Sequence, residues 1–154
     1  YHPDKGKEIL IQILKIFDFK KFPNTKFKIL IPDLPLKNEI PSHPGIQIIS
    51  PTDNIYSFLS KIDILIIPSK NESYPIIMLE AINAGCQIIA SKVGGIPELK
   101  SENIFLINHD NPTKWIEEIV RFKSCSIEER KKRIFKLKDK SNLYYYINKI
   151  ENFN

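Results

Sequence analysis

Two glutamates with seven residues between them, Glu72 and Glu80, bracket Pro75 at the point where an apolar run passes into a helix-forming segment. Proline is tolerated at a first helical position because the N–H it lacks would have had no partner there. Placing Pro75 at that position aims the free amides of the first turn, about Ser73 to Ile77, beyond the carboxyl end of the preceding strand. Such amides form an anion site. Carboxylates next to a bound phosphate are repelled, so the partners that suit Glu72 and Glu80 are hydroxyl groups. Glu80, on the same helical side as Ile76 and Ile77, is placed as a ribose acceptor, as acidic residues are in dinucleotide folds. Glu72, nearer the helix mouth, faces whatever lies beyond the phosphates. The competing reading is plain: Glu72 favours a helix start through the dipole and Glu80 is a solvated helical position.

The elements that must hold these groups read as alternating helices and strands. Helix is expected over Gly6 to Phe22, strand over Phe27 to Ile31, a proline-rich loop over Pro32 to Gly45, and strand over Ile46 to Ile49. Helix Asn54 to Leu59, strand Asp63 to Ile67, the site loop Ser69 to Tyr74, helix Pro75 to Ala84 and strand Gln87 to Ala90 follow. A turn at Pro97, strand Asn103 to Leu106, and helices Pro112 to Phe122, Ile127 to Lys138 and Asn142 to Ile150 complete the pass. Short apolar strands alternating with helices predict an α/β fold, a three-layer, doubly wound, Rossmann-like parallel sheet.

Pro68-Ser69, Glu72-Ser73-Tyr74-Pro75, Leu79-Glu80-Ala81, Ala84-Gly85-Cys86, Ala90-Ser91 and Val93-Gly94-Gly95-Ile96-Pro97-Glu98, in this order, resemble the donor-binding half of family 4 glycosyltransferases, the retaining "group 1" enzymes of the GT-B fold. Asp4-Lys5-Gly6 and the apolar helix behind it resemble the family's lysine-glycine segment after the first strand of that half. The resemblance implies the C-terminal domain of a GT-B enzyme and a nucleotide-sugar donor, UDP- or GDP-linked, with no cofactor and no metal. It assigns Lys5 to the diphosphate, the helix-mouth residues Ser73, Tyr74, Pro75, Ile76 and Ile77 to phosphate and sugar, Glu72 to the donor-sugar hydroxyls as the catalytic carboxylate, and Glu80 to ribose. Transfer with retention to a glycan or lipid-linked acceptor is the implied reaction, driven by position and by stabilisation of the departing diphosphate. The chain departs from the family at Pro32-Asp33-Leu34-Pro35, where a Gly-x-Gly loop is usual, at Ser50 for glycine and at Gln87 for proline. Lost glycines mean less room for close backbone approach to a donor.

Two other readings stay open: a GT-B sugar-nucleotide epimerase, and a nucleotide-binding module without turnover. The chain has 154 residues and starts at Tyr1, about half of what a two-domain GT-B enzyme needs. It is expected to be a piece of a longer protein, with residues 1–140 as the donor domain, 141–154 as a terminal helix or tail, the first strand and an acceptor domain upstream, and no transfer activity alone. Neither Asp-x-Asp nor a His or Cys cluster at ligand spacing occurs, in line with the metal-free expectation. Cys86 and Cys125 read as free thiols of a reducing compartment. No stretch approaches the roughly 18 apolar residues of a membrane span, and no signal-peptide layout opens the chain, so it reads as cytoplasmic. The net charge of +5 gathers at Arg130-Lys131-Lys132-Arg133, Lys136, Lys138 and Lys140. That stretch reads as a solvated helix face, with peripheral contact to an anionic membrane as the functional alternative; no aromatic and basic signature of nucleic-acid binding accompanies it. His2, His43 and His109 read as structural or solvent-facing, His109 preceding the helix start at Asp110-Asn111-Pro112.

Overall fold

In the computed structural model, residues 5–30, 38–99, 101–108 and 110–122, with Glu128, Glu129 and Lys132, are described. Helix α1 (Lys7–Ile16) buries Ile9, Ile11, Ile13 and Leu14, with Glu8 in its first turn and Lys15 in its last, each sign complementing the helix dipole. It stops well before the expected Phe22. Phe17 turns extended, with ψ 127°, and the Asp18 carboxylate accepts the N–H groups of Lys20 and Lys21 at 3.0 Å each. A side chain that satisfies the backbone in this way competes with the helix. Phe17 then meets Phe19 and Phe27 edge to face, with ring centroids 4.9 and 5.0 Å apart.

Strand β1 (Phe27–Leu30) pairs in parallel with β2 (Ile46–Ile49), in the register Phe27 to Ile46. Helix α2 (Ile55–Leu59), capped by the Asn54 side chain on Ser57 N–H, leads to β3 (Ile64–Ile67). Helix α3 (Ile76–Asn83) connects β3 to β4 (Gln87–Ser91), and a 3₁₀ turn over Ile96–Glu98 precedes β5 (Ile104–Ile107). The strands β3, β4 and β5 form a second parallel set in that order. Helix α4 (Pro112–Arg121) starts at Asn111, whose side-chain oxygen accepts the N–H groups of Thr113 and Lys114, as the Asn-Pro pair predicts.

Helices cover both faces of β3 and β4. Alternation along β3 and β4 sends Leu65, Ile67, Ile88 and Ala90 into one core with α2 and α3, and Ile64, Ile66 and Ile89 into another with α1 and α4. Phe27 and Ile29 of β1 join that second core, around the fully buried Trp115. The three-layer α/β arrangement of the sequence reading is therefore present. Among the described residues the strands form two hydrogen-bonded parallel sets, β1–β2 and β3–β4–β5, that share the core beneath α1 and α4. Cys86 is buried and free of disulfide, its thiol donating to the carbonyls of Leu59 and Ile62. His43 has the structural role expected of it, stacking on Phe19 and accepting the Gly45 N–H through Nδ1 at 3.0 Å. Pro32-Asp33-Leu34-Pro35, His2, His109, Cys125 and, apart from Glu128, Glu129 and Lys132, the two terminal helices expected from Ile127 onward lie outside the described residues.

Candidate functional site

The carboxyl end of β3 runs directly into buried Pro68 and Ser69 and then into the loop that carries Lys70, Glu72 and Ser73. What shapes this loop is backbone crowding at three glycines. Gly6 has φ +71°, and a Cβ there would sit 1.5 Å from the Pro68 carbonyl oxygen. On the other flank a Cβ on Gly94, at φ +51°, would stand 1.9 Å from the Glu72 carbonyl oxygen, and one on Gly95 would stand 2.1 Å from that of Ser73. Gly95 also donates its N–H to the Glu72 carbonyl at 3.1 Å. Only a residue without a side chain permits such approach. The site loop is thus clasped between the turn before α1 and the Gly-Gly turn after β4.

Two ion pairs of opposite sense reinforce the first of these contacts. Lys5 Nζ lies 2.5 Å from Glu72 Oε2, and Lys70 Nζ of the loop lies 3.0 Å from Glu8 Oε2 of α1. The Glu72 side chain is 14% exposed and Lys5 55%. The Glu8 carboxyl is held below its ordinary value of 4.5 by a hydrogen bond from its own backbone amide and then by Lys70.

Helix α3 begins one residue later than the sequence reading has it. Pro75 is extended, with ψ 105°, and acts as the N-cap, its carbonyl accepting the Met78 N–H at 2.9 Å. Of the amides expected from Ser73 to Ile77, those that open the helix and have no intrahelical acceptor narrow to Ile76 and Ile77. Ser73 and Tyr74 belong to the loop, and Pro75 offers only its carbonyl. Met78, Leu79, Ala81 and Ile82 are buried, which leaves Ile76, Ile77, Glu80 and Asn83 on the less covered side of the helix. Ile76 is 60% exposed. Glu80 follows it at about 6 Å along the helix axis, partly buried on that same side.

The structure therefore brings Lys5, Glu72 and the start of α3 to one end of the strands and sets Glu80 one turn inside the helix. Sequence reasoning gave Lys5 and Glu72 separate partners and did not foresee their mutual ion pair, nor the Lys70–Glu8 pair. Nothing in residue type or spacing marks contacts between groups 67 positions apart. The Gly94-Gly95 dipeptide was legible as a motif, but its function as a backstop for the loop needs the fold.

The profile of the family described as Glycosyl transferases group 1 matches residues 1–124. An uncharacterized glycosyltransferase of Methanocaldococcus jannaschii is 30% identical over 122 residues, 77% of this chain and 34% of that protein. A D-inositol 3-phosphate glycosyltransferase of Corynebacterium glutamicum is 25% identical over 131 residues, covering 75% of this chain and 31% of its own length. The chain thus spans about a third of these curated relatives. Among solved structures, the C-terminal domain of a group 1 glycosyl transferase family protein from Francisella tularensis superposes with a TM-score of 0.67 at 23% identity, over 87% of this chain and 74% of that one. At that identity the likeness concerns the fold.

Proposed function

Because the chain belongs to the group 1 glycosyltransferases, we propose that it forms the nucleotide-sugar site of a retaining transferase that passes a hexose to a glycan or lipid-linked acceptor. Lys5 neutralises the diphosphate, and the Ile76 and Ile77 amides at the mouth of α3 add donors to the phosphate and sugar side. Glu72 accepts hydrogen bonds from the sugar hydroxyls and orients the anomeric carbon. Glu80 accepts from the ribose. Positioning and charge stabilisation of the leaving diphosphate supply the rate, and the donor is UDP- or GDP-linked with no metal required.

The observation that carries this reading is the clasped loop, which holds Glu72 beside the Lys5 ammonium at the carboxyl end of parallel strands. That is where ligands of open α/β sheets bind. Among the described residues no helix is long and apolar enough to cross a membrane, and a lipid-linked acceptor would be met at a membrane surface. The test is a melting screen of the full-length protein with UDP, GDP and ADP and their sugar conjugates, followed by calorimetry on the ligand that stabilises most. Stabilisation by one base series, abolished by Lys5→Met and reduced by Glu80→Ala, supports the site. Stabilisation that survives both changes would remove it from these residues.

A further inference from the structure

Resting on that site reading, we infer that Glu72 also discriminates the loaded donor from the spent nucleoside diphosphate, by exchanging partners with Lys5. The Glu72 carboxylate is mostly removed from water, and a charge so placed needs a partner in every state of the site. In this structure that partner is the Lys5 ammonium, 2.5 Å away. When the donor is bound, the diphosphate takes the ammonium and the sugar hydroxyls take the carboxylate. Both charges stay satisfied.

The spent diphosphate creates the one state in which this fails. Lys5 is occupied by phosphate, the sugar hydroxyls are gone, and the carboxylate faces an anion across a single ammonium. Retreat of the loop backbone is blocked. The Glu72 carbonyl is held by the Gly95 N–H at 3.1 Å, and the Gly94 α-carbon stands behind it. Farther along, the loop is tied by the Lys70–Glu8 pair and by the close approach of Gly6 to Pro68. A clasped loop keeps the root of the Glu72 side chain beside the diphosphate site, and re-formation of the Lys5–Glu72 pair accompanies departure of the product. The same glutamate that positions the sugar thereby lowers the affinity for what remains after transfer.

The experiment compares Kd for the nucleoside diphosphate (UDP, GDP or ADP, whichever stabilises the protein) with Kd for its sugar conjugate, by calorimetry on the full-length enzyme, together with the product-inhibition constant. Glu72→Gln keeps the shape and removes the charge. It is expected to tighten the bare diphosphate by about fivefold, the scale of an ion pair with one partner open to solvent, and to lower the inhibition constant in step, with no tightening for the sugar conjugate. Glu72→Ala gives the same direction should the amide disturb folding, which a far-UV melt of each variant checks. Unchanged or weaker diphosphate binding in Glu72→Gln, with Lys5→Met still weakening both ligands, overturns the exchange while leaving the site assignment standing. If Lys5→Met and Glu80→Ala affect neither ligand, the site assignment fails and the exchange falls with it.

Discussion

Adding one methyl group at Gly94 tests the clasp directly. The new Cβ would lie 1.9 Å from the Glu72 carbonyl oxygen, against a floor of 3.0 Å for such contacts, so the two backbones must part by about 1.1 Å. Gly94 also has φ +51°, a region that raises the energy of a residue with a side chain by about 1 kcal/mol or more. Separation breaks the hydrogen bond from Gly95 N–H to Glu72, worth about 1 kcal/mol net. Together these predict a loss of roughly 2 to 4 kcal/mol in unfolding free energy for Gly94→Ala. The kinetic effect follows from geometry: a catalytic group displaced by about an ångström loses on the order of 100-fold in rate. Denaturant titration and steady-state kcat/KM of the full-length enzyme measure both. Gly45→Ala is the control. Its Cβ would meet the Phe19 ring at 2.6 Å, a side chain that can yield and that takes no part in the site, so stability falls while kcat/KM holds. A Gly94→Ala enzyme with kcat/KM within about twofold of the parent would refute the claim that the Gly-Gly turn positions Glu72.

Three further outcomes are expected. Glu80→Ala should weaken nucleoside diphosphate and nucleotide sugar alike by roughly 1.5 to 3 kcal/mol, as loss of a charged hydrogen-bond acceptor; calorimetry showing loss for the sugar conjugate alone would move Glu80 off the ribose. Asn111→Ala removes the cap of α4 and should lower stability by about 1 kcal/mol in urea, with ligand affinity unchanged. The depressed Glu8 carboxyl stabilises the fold above its ordinary value of 4.5, and that contribution is lost as pH falls through the lower folded value. Glu8→Gln should therefore flatten the acid limb of the stability profile below pH 4.5, by a small amount because the pair is exposed to solvent.

The order and type of the elements were readable because each apolar stretch has its own length and punctuation. Ile64 to Ile67 is too short for a helix and bounded by Asp63 and Pro68, while Ile76 to Asn83 starts after a proline and ends before Gly85. Composition overextends α1 because Lys20, Lys21 and Phe22 continue a helical pattern, and the Asx turn at Asp18 that stops it is a local competition among hydrogen bonds that composition does not weigh. Residue type places Pro75 one position too far in for a similar reason: for a proline, whose φ is fixed, N-cap and first helical position differ only in ψ. The candidate site is legible as an ordered set of residue types around Glu72 and Glu80. Its internal contacts are not, since Lys5 meets Glu72, and Gly6 meets Pro68, only once the chain between them has folded.

The unequal covering of the two strand sets predicts an unequal resistance to opening. Strands β3 and β4 lie between two cores, whereas β1 and β2 contribute to one and leave Lys28 and Gln47 exposed on the other side. In native-state hydrogen exchange the β4 amides should report global unfolding, and the β1–β2 ladder should exchange through a smaller, cheaper excursion. Lys5 precedes α1, whose buried face packs in the core that β1 and β2 share with β3 and β4, and Glu72 stands in the loop beyond the end of β3. A donor bound to both would fasten the weaker part to the stronger, and the slowing of exchange in β1 and β2 on adding nucleotide sugar would then measure how much of the binding free energy is spent on holding the domain together.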